Sequence, residues 1–495
     1  MRILLIDPPV NCFTGLMKRG YPIGLCMLAA IAKQENVPEV KVFDVDKSVS
    51  HSYGLHFTDQ RRNMAVFLEG VNNKQHAVWQ EIRRTLESFK PDLVGITAMT
   101  IHYASSLRVA EIVKEWNPAC TVVMGGVHAS IMPRGMVEWP FTDAVVRGEG
   151  ETPFREIIRR ANSGITDFSD ISGVITKATP DKVNHPPSEE NDLDSLPLPD
   201  RTALISMENF SPEDLGLILT SRGCPYRCSY CSNFTRKTRF RSVYNVIEEI
   251  SEVKINYGTF QFMFKDDSFT VDRNRVNSFC QTLLDKNLKL LWECTTRLDL
   301  VDDLLIRHMK KAGCNRVGVG VESGDEEMLK IFNKKLTKEQ IRKGTDILNR
   351  NNMFWTGYFM MGLPMEREDQ ILRTLDFMHE LRPPYAALGI YKPYPGTRLF
   401  KIAVELGLVD DNVPNEYFFS TNPVDYFFRD THKRMAYIPE RRAKELTLIM
   451  EKEFERSNKK LKNLFRRAIA RKNLYIKDYK SFFIDLKRVA NWLKA

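Results

Sequence analysis

Short apolar runs, each followed by a segment long enough for a helix, recur along this chain in two series. The first series comprises the runs 2–6, 40–45, 93–97, 121–124 and 144–146. Nearly continuous apolar runs of this length are typical of parallel strands that are buried on both faces. Because helices separate these strands, the pattern predicts a doubly wound α/β domain over residues 1–150. Ligands in such domains bind beyond the carboxyl ends of the strands.

The second series begins after a proline-rich stretch. Residues 176–200 contain five prolines among acidic side chains, which predicts a partly extended linker within 151–210. Six further strands are predicted at 215–220, 260–264, 290–295, 316–321, 354–361 and 386–391. Six strand–helix units predict a partial (β/α) barrel over 211–410, with its active site at the carboxyl ends of the strands. Residues 411–495 then form a C-terminal region.

The composition is that of a globular chain with two or three domains. Hydrophobic residues make up 43% of the 495 residues, enough for substantial cores. The first residues lack the features of a signal peptide, and no apolar run reaches the roughly 18 residues of a membrane span. Six cysteines are scattered without metal-ligand spacing, which fits a reducing compartment. We therefore expect a cytoplasmic protein. These cysteines are Cys12, Cys26, Cys120, Cys280, Cys294 and Cys314.

Three other cysteines lie together in one short segment. Cys224, Cys228 and Cys231 have the spacing C-x3-C-x2-C and follow the first strand of the second series. Three thiolates do not complete four-coordinate zinc, and a disulfide would leave the third cysteine over. The same three can ligate three irons of a [4Fe–4S] cluster and leave the fourth iron open to a substrate. Cluster ligation is the favoured interpretation; zinc and inert cysteines are the alternatives.

Polar or glycine-containing motifs also follow the later strands of the second series. Asp266 and Asp267 can accept hydrogen bonds from an ammonium group, or they form a solvated turn. Arg297 can pair with a carboxylate or make a surface salt bridge. Glu322 ends a glycine-rich strand and can bind a ribose hydroxyl. Gly362 and Pro364 follow the fifth strand.

Taken together, the cysteine segment and these strand-end motifs resemble radical S-adenosylmethionine (radical SAM) enzymes over about residues 212–410. The resemblance implies that Tyr230 packs near the adenine of SAM. It implies an amino-group contact at Asp266 and Asp267, where many members have Gly-Gly-Glu. It also implies a carboxylate contact at Arg297 and a ribose contact at Glu322, with Gly362 and Pro364 completing the SAM site.

The first domain contains three segments that resemble the flavodoxin-like cobalamin-binding domain fused to many radical SAM enzymes. They are 21–25, 125–130 and 147–151. Glycines after a strand let a large ligand approach the backbone, although such a turn also occurs in α/β domains that bind no cofactor. The resemblance implies contacts from Gly24, Thr97, Gly125, Gly126, His128 and Glu149.

The Asp-x-His-x-x-Gly motif that supplies a lower cobalt ligand elsewhere is absent from the sequence. Asp7-Pro8-Pro9 follows the first strand instead. His128 follows a different strand, so we do not assign it as the axial ligand and expect no histidine beneath the cobalt. Residues 50–90 show no clear period, and His51, His56 and His76 within them receive no role.

The two resemblances imply a cobalamin-dependent, class B radical SAM methyltransferase-like enzyme. We expect reductive cleavage of SAM to a 5′-deoxyadenosyl radical, and then methyl transfer from methylcobalamin to an unactivated carbon of a small-molecule or lipid-linked substrate. Flavodoxin or ferredoxin is the expected electron donor. One alternative is non-methylating chemistry with the same cofactors, as in the anaerobic magnesium-protoporphyrin ester cyclase. Another is a non-catalytic cobalamin and iron–sulfur sensor, while a methylthiotransferase fits the N-terminal cysteines poorly.

The net charge of +9 originates in the C-terminal region. Residues 440–495 hold 17 Lys or Arg against 7 Asp or Glu, so the catalytic body is nearly neutral and we expect no nucleic-acid partner. Between Leu461 and Leu493 apolar residues recur at helical spacing, with Trp492 near the end. Such a basic amphipathic helix packs on the barrel with a solvated basic side or lies on an anionic membrane surface. The first interpretation is favoured.

Overall fold

The computed structural model describes residues 1–15, 18–49, 60–180, 188–233, 235, 237–430, 432–477, 479, 482–483, 485–486 and 489–490. His51, His56, Pro186, Pro187, Trp492 and Leu493 lie outside these ranges. The chain divides into two compact units. The first comprises Met1–Leu215 with Asn412–Tyr426, and the second comprises Gly216–Asp411 with Phe427–Ala495. Among the helices in the described ranges, none is both long and apolar enough to span a bilayer.

The first unit is a six-stranded sheet in the order β2-β1-β3-β4-β5-β6. The first five strands are parallel, and β6 joins the edge antiparallel to β5. The order 2-1-3-4-5 is that of flavodoxin-like folds, so the predicted doubly wound sheet is confirmed. The strands are β1 (Arg2–Asp7), β2 (Glu39–Asp44), β3 (Leu93–Thr97), β4 (Thr121–Gly125), β5 (Ala144–Val146) and β6 (Val174–Ile175).

Helices connect these strands. Helix α2 (Ile23–Gln34) lies between β1 and β2 in the chain, whereas α4 (Gln60–Asn72) and α5 (Ala77–Phe89) occupy much of residues 50–90, where the sequence shows no clear period. His76 is the N-cap of α5, and its Nδ1 accepts a hydrogen bond from the Val78 amide at 3.3 Å. The helices are α1 (Asn11–Thr14), α2 (Ile23–Gln34), α3 (Val45–Val49), α4 (Gln60–Asn72), α5 (Ala77–Phe89), α6 (Tyr103–Trp116), α7 (Val127–Ile131), α8 (Pro133–Glu138), α9 (Glu151–Asn162) and α10 (Pro212–Leu215).

The described residues of the expected linker, 151–180 and 188–210, belong to the first unit and pack on it. The Asp200 amide donates to the Cys26 carbonyl at 2.9 Å, and the Ile205 amide donates to the Val42 carbonyl at 2.9 Å. The Asp200 carboxylate also pairs with Lys33 at 2.5 Å. These backbone and ionic contacts explain why the first unit extends to Leu215, well past the boundary expected at residue 150.

A segment from the expected C-terminal region also belongs to the first unit. It contains the short helix α18 (Tyr417–Ser420). Asn415 accepts a hydrogen bond from the Tyr103 hydroxyl at 2.7 Å and donates to the Gly135 carbonyl at 2.7 Å. Phe418 packs edge-on against Tyr103, with ring centroids 4.8 Å apart. Tertiary contacts of this kind leave no periodic signal in the sequence.

The second unit contains six parallel strands in the order β14-β13-β12-β11-β10-β7. This order confirms the predicted series of six strand–helix units. A separate two-stranded hairpin, β8 with β9, was not predicted. The strands are β7 (Leu217–Ile218), β8 (Ser221–Arg222), β9 (Arg239–Phe240), β10 (Gln261–Phe264), β11 (Leu291–Thr296), β12 (Cys314–Glu322), β13 (Phe354–Met361) and β14 (Tyr385–Ile390).

The helices of the second unit show the expected capping chemistry. Ser242 caps the N-terminus of α11, which ends at Gly258 in a left-handed conformation, and α15 begins with a Thr337–Gln340 capping box. Between helices and strands lies an apolar core that includes Phe262, Trp292 and Trp355, all fully buried. The helices are α11 (Val243–Tyr257), α12 (Arg273–Asp285), α13 (Asp303–Lys311), α14 (Glu326–Ile331), α15 (Lys338–Arg350), α16 (Glu368–Leu381), α17 (Arg398–Glu405), α19 (Glu440–Lys459) and α20 (Leu461–Lys477).

Candidate active site

The cysteine segment is a loop closed by the β8–β9 hairpin. Strand β8 ends at Arg222 and β9 begins at Arg239, so the hairpin brings the two ends of the loop together. Gly223 has φ +87°, and a Cβ at this position would collide with the Lys237 carbonyl. The Cys224 amide donates to the Thr235 carbonyl at 3.1 Å. The backbone of this loop is therefore fixed by its own hydrogen bonds, with a glycine where another residue would clash.

The three thiols fit a cluster. All nine cysteines lie in the described part of the chain and none is in a disulfide. Burial raises the pKa of the Cys224 and Cys231 thiols, and the neighbouring Cys228 raises it further. Positive charge, which the irons of a cluster supply, is therefore needed to hold three thiolates there. Among the described residues, no three His, Cys, Asp or Glu side chains are gathered around the position of a single ion; a cluster does not require this, because each thiolate binds a different iron.

Side-chain and backbone contacts hold the cysteine loop against the barrel. The Arg297 guanidinium lies over the Tyr226 ring at 3.7 Å. The Ser229 hydroxyl donates to the Ile331 carbonyl at 2.7 Å, and the Ser229 amide donates to the Phe332 carbonyl at 2.9 Å. Tyr230 packs against an apolar cluster after β12, β13 and β14. Its ring meets that of Phe332 edge-on at 5.3 Å, so the predicted adenine-side aromatic has a fixed position.

Asp266 and Asp267 have different environments. Asp266 is buried and accepts hydrogen bonds from the Thr220 amide at 2.7 Å, the Thr220 hydroxyl, and the Ser221 hydroxyl at 2.8 Å. Both of its oxygens are therefore occupied in fixing the strand that leads into the cysteine loop. The buried carboxylate of Asp266 thus anchors this strand, and its expected contact with the SAM amino group stays a prediction that the more exposed Asp267 is better placed to fulfil.

Asp267 remains the candidate for the amino group of SAM. Its Oδ2 accepts a hydrogen bond from the Asn233 side chain at 2.6 Å, just beyond the third cysteine. Burial and the adjacent Asp266 raise the pKa of Asp267. An ammonium group would relieve the repulsion between the two carboxylates.

Glu322 lies at an irregular point of β12. The strand register shifts between Gly320 and Glu322, and Glu322 has φ +65°. Its Oε1 accepts hydrogen bonds from the Tyr230 hydroxyl at 2.9 Å and from Lys334 Nζ at 2.7 Å. The structure thus brings together two of the predicted SAM residues, Tyr230 and Glu322, and adds Lys334.

Lys334 is a functional candidate that the sequence analysis missed. It is buried, and its Nζ also donates to the Gly320 carbonyl at 2.7 Å. A Cβ on Gly320 would collide with both Lys334 Nζ and Glu322 Oε1, which explains a glycine in this strand. The Lys334 carbonyl accepts a hydrogen bond from Arg297 at 2.7 Å. Lys334 therefore contacts both Glu322, which is predicted to bind the ribose, and Arg297, which is predicted to bind the carboxylate.

Arg297 is buried and already paired. Its Nε and Nη2 donate to the two oxygens of Asp299, each at 3.0 Å. Although burial opposes it, the Asp299 carboxylate raises the pKa of Arg297. The guanidinium is thus a permanent, fixed positive charge next to Tyr226, consistent with the predicted recognition of a carboxylate.

The turn after β13 places Gly362 and Pro364. Gly362 has φ +82°, and its amide donates to Glu366 Oε2 at 2.7 Å; the Leu363 amide donates to the same oxygen at 3.2 Å. The Pro364 carbonyl accepts a hydrogen bond from the Ala436 amide at 2.7 Å. Glu366 is fully buried, and no donor in the described part of the chain reaches its Oε1. Burial raises the pKa of Glu366 to about 8.

Most of the predicted cobalamin residues lie at the carboxyl edge of the first sheet. Thr97 ends β3 and Gly125 ends β4. Gly126 has φ +101°, and a Cβ there would lie 2.8 Å from the Ala98 carbonyl oxygen, so this glycine is required by packing. Gly24, near the start of α2, differs because a Cβ there would meet no atom within 4 Å. The space beside Gly24 is therefore open, and its expected contact with cobalamin stays a prediction.

Glu149 follows β5 at the same edge. Its amide donates to the Ser188 carbonyl at 2.8 Å, and its Oε2 accepts from the Glu190 amide at 2.6 Å. Glu149 thus contributes to holding residues 188–190 on the first unit.

His128 belongs to the core of the first unit. It is 1% exposed, its Nδ1 lies 3.0 Å from the Thr100 hydroxyl, and its ring packs on Tyr103 with centroids 4.1 Å apart. Burial lowers the pKa of His128 to about 3. The enclosed, neutral imidazole has a packing role in the first unit, and the expected cobalamin contact of His128 stays a prediction.

A buried charge cluster lies beside the loop after β1, where no histidine was expected. Lys18 Nζ pairs with Asp7 at 2.5 Å and with Asp44 at 2.7 Å. Although burial opposes it, these carboxylates raise the pKa of Lys18. Asp46 accepts hydrogen bonds from the Val10 and Cys12 amides, each at 2.9 Å. The cluster fixes the loop that begins at Asp7, and no residue spacing in the sequence indicates it.

Comparisons with known proteins agree with this description. A model of the radical SAM superfamily matches residues 218–378, and a model of the B12 binding domain matches residues 16–158. An uncharacterised methyltransferase of Pyrococcus horikoshii is 31% identical over 421 residues, which cover 83% of this chain and 84% of that protein. The anaerobic magnesium-protoporphyrin IX monomethyl ester cyclase of Rubrivivax gelatinosus is 30% identical over 355 residues, covering 69% of this chain and 63% of the cyclase.

Two solved structures share the fold. The radical SAM methyltransferase TsrM from Kitasatospora setae, with tryptophan and a SAM analogue bound, has a TM-score of 0.67 at 18% identity, covering 92% of this chain and 89% of TsrM. The cobalamin-dependent radical SAM enzyme OxsB has a TM-score of 0.62 at 17% identity, covering 91% of this chain and 61% of OxsB.

The cysteine loop on a six-stranded barrel sheet defines an enzyme that uses SAM with an iron–sulfur cluster, and the flavodoxin-like unit adds a B12-binding domain. The chain belongs to the radical SAM superfamily, among the members that carry a B12-binding domain. Its cofactors are a [4Fe–4S] cluster, SAM and cobalamin, as expected from the sequence.

Proposed function

We propose that this protein is a cobalamin-dependent radical SAM methyltransferase that methylates a carbon of a small-molecule substrate. The observation that carries the proposal is the fixed cysteine loop, whose Tyr230 hydroxyl donates a hydrogen bond to Glu322 at 2.9 Å. When bound, the cluster supplies the electron for SAM cleavage and cobalamin supplies the methyl group. Methyltransferases among the relatives support this assignment.

The side chains of the second unit bind and orient SAM in this proposal. Cys224, Cys228 and Cys231 hold the cluster, and Asp267 accepts hydrogen bonds from the SAM amino group. Arg297 presents a fixed positive charge to the carboxylate, and Glu322 receives the ribose. Each electron consumed must be replaced, so we infer a small one-electron donor protein such as flavodoxin or ferredoxin.

The products distinguish methylation from the alternatives. Reductive cleavage of one SAM gives methionine and, after hydrogen abstraction from the substrate, 5′-deoxyadenosine. A second SAM that donates its methyl group gives S-adenosylhomocysteine. The test incubates reconstituted enzyme, reductant and trideuteromethyl SAM with a small-molecule extract of cells. We expect 5′-deoxyadenosine and S-adenosylhomocysteine to form, and one metabolite of the extract to acquire the deuterated methyl group.

A specific relative favours one second candidate, the non-methylating reaction. The Rubrivivax gelatinosus cyclase is 30% identical over 355 residues. Release of 5′-deoxyadenosine without S-adenosylhomocysteine, and without label in any metabolite, would assign the protein to that group. Absence of both products from cluster-loaded, cobalamin-loaded enzyme would contradict both candidates and point to a non-catalytic sensor.

A further inference from the structure

Helix α20 is fixed to the second unit along one side. The Asn315 side chain donates to the Ala470 carbonyl at 3.3 Å, and Arg466 donates to the Asn349 side chain at 3.1 Å. Arg467 lies over the Tyr385 ring at 4.5 Å. These contacts reach strands β12 and β14 and helix α15. On this side, α20 therefore packs on the second unit, which is the arrangement favoured from the sequence.

The other side of α20 carries apolar side chains in solvent. Leu461 is 82% exposed, Phe465 67%, Ile469 50% and Ile476 80%. Positions separated by four, four and seven residues lie on one side of a helix. The helix is therefore anchored by one side while it presents an apolar stripe, defined by these four residues, on the other.

The charge of α20 is uniform. Residues 461–477 contain six Lys or Arg and no Asp or Glu. Lys462 and Lys472 are exposed near the apolar stripe. An apolar stripe bordered by cations is the pattern of helices that lie in the interface of an anionic membrane.

We propose that the apolar stripe of α20 docks the protein on an anionic lipid bilayer. A second copy of the chain is a poorer occupant, because it would place the exposed lysines beside one stripe, Lys462 and Lys472, near those of the other copy. A nucleic acid would satisfy the cations but would leave Leu461, Ile469 and Ile476 against phosphate. A bilayer satisfies both, with acyl chains for the stripe and anionic headgroups for the lysines.

The test is flotation of the full chain with vesicles of phosphatidylcholine alone and of phosphatidylcholine with phosphatidylglycerol. We expect binding only to the anionic vesicles and a decrease with added salt. The triple variant Phe465→Ser, Ile469→Ser and Ile476→Ser is expected to lose at least about tenfold in binding. Lys462→Gln with Lys472→Gln should weaken binding and reduce its salt dependence.

The matched control is Tyr244→Ser with Ile255→Ser on α11, where the side chains are 74% and 80% exposed. This control should bind vesicles like the unaltered protein. Circular dichroism and iron content verify that each variant is folded. The proposal is overturned if the triple variant floats as well as the control does. Two other results would also overturn it, if the unaltered protein does not bind vesicles. One is an oligomer of the unaltered protein in sedimentation that the triple variant does not form, and the other is RNA binding by the unaltered protein that the triple variant loses.

Discussion

Lys334 Nζ lies 2.7 Å from Glu322 Oε1, while the backbone carbonyl of the same lysine accepts a hydrogen bond from Arg297. The two residues predicted to contact the ribose and the carboxylate of SAM are thus connected through one buried residue, Lys334, which contacts Glu322 with its side chain and Arg297 with its backbone carbonyl. Glu322 also occupies a backbone conformation that L-residues rarely adopt. Because Lys334 Nζ holds the Glu322 carboxylate, we expect Lys334 to act as a positioning residue for the SAM site.

Replacing Lys334 tests this positioning role. Lys334→Met leaves the Glu322 carboxylate buried without its cation, which costs about 3–5 kcal/mol in comparable pairs. We expect weaker SAM binding by at least about tenfold, equivalent to about 1.4 kcal/mol, measured by calorimetry on cluster-loaded protein. The control is Lys330→Met, which removes an exposed lysine on α14. A folded Lys334→Met protein with unchanged SAM affinity would contradict the role.

The cysteine loop gives a second prediction. Cys224→Ala, Cys228→Ala and Cys231→Ala should each lower the iron content and abolish the absorbance of the cluster and the release of 5′-deoxyadenosine. Cys12→Ser in the first unit serves as the control, because Cys12 is also a free, half-buried thiol. Retention of 5′-deoxyadenosine release in all three alanine variants would exclude the cysteines as cluster ligands.

The two adjacent aspartates are expected to respond differently. Asp266→Asn removes the acceptor shared by Thr220 and Ser221, so it should lower the melting temperature and the yield of cluster assembly. Asp267→Asn should leave the melting temperature nearly unchanged but weaken SAM binding, since its carboxylate is only partly buried and accepts a hydrogen bond from the nearby Asn233. Melting curves and SAM titrations of both variants decide the matter. The opposite pattern would assign the SAM contact to Asp266.

Substitutions of two glycines in the first unit, Gly24 and Gly126, are expected to have different effects on cobalamin binding and on stability. Gly24→Leu places a side chain where no atom lies within 4 Å of the Cβ, so we expect normal stability with reduced cobalamin retention after gel filtration. Gly126→Ala forces alanine into an extended positive-φ conformation, φ +101° and ψ −172°, which costs about 1–3 kcal/mol, and brings a Cβ to 2.8 Å from the Ala98 oxygen. It should lower the melting temperature even without cobalamin. Full cobalamin retention by Gly24→Leu would remove Gly24 from the binding site.

Glu366 predicts a pH dependence of stability. Burial raises its pKa to about 8 in the folded chain, against about 4.3 when unfolded. Between these values the folded carboxyl stays protonated while the unfolded one ionises. The protonated Glu366 therefore contributes fully to the free energy of unfolding below about pH 4, and this contribution is lost as the pH rises through about 8. Glu366→Gln has no carboxyl group to ionise, so its free energy of unfolding should not fall for this reason. The free energy of unfolding of the variant minus that of the unaltered protein should therefore rise by about 1 kcal/mol per pH unit from about pH 6 to 7.5.

Urea denaturation at the two pH values measures this difference. Glu405→Gln, at an exposed position at the end of α17, should show no such trend. Parallel pH profiles for Glu366→Gln and the unaltered protein would mean that Glu366 is ionised in the folded state.

The strands could be predicted because buried parallel strands are short, apolar and terminated by glycine or polar residues. Predicted and observed limits agree at 93–97, 144–146 and 354–361, with small shifts elsewhere. The short β6 and the β8–β9 hairpin have no apolar period, since their pairing depends on partners distant in sequence. Helix α5 is clearly amphipathic in the structure, with Val78, Trp79, Ile82 and Leu86 on its buried side, and its period was overlooked in the sequence.

The two series of strands, the cysteine spacing and the positions of the motifs at strand ends can be read from the sequence, because chain order places those motifs at one edge of each parallel sheet. The use of each side chain depends on the folded structure. The folded structure turned Asp266 inward to Thr220, enclosed His128 against Tyr103, and paired Lys334 with Glu322. The physical reason is that burial and hydrogen-bond partners come from elements remote in sequence, whereas spacing and period are local properties of the chain.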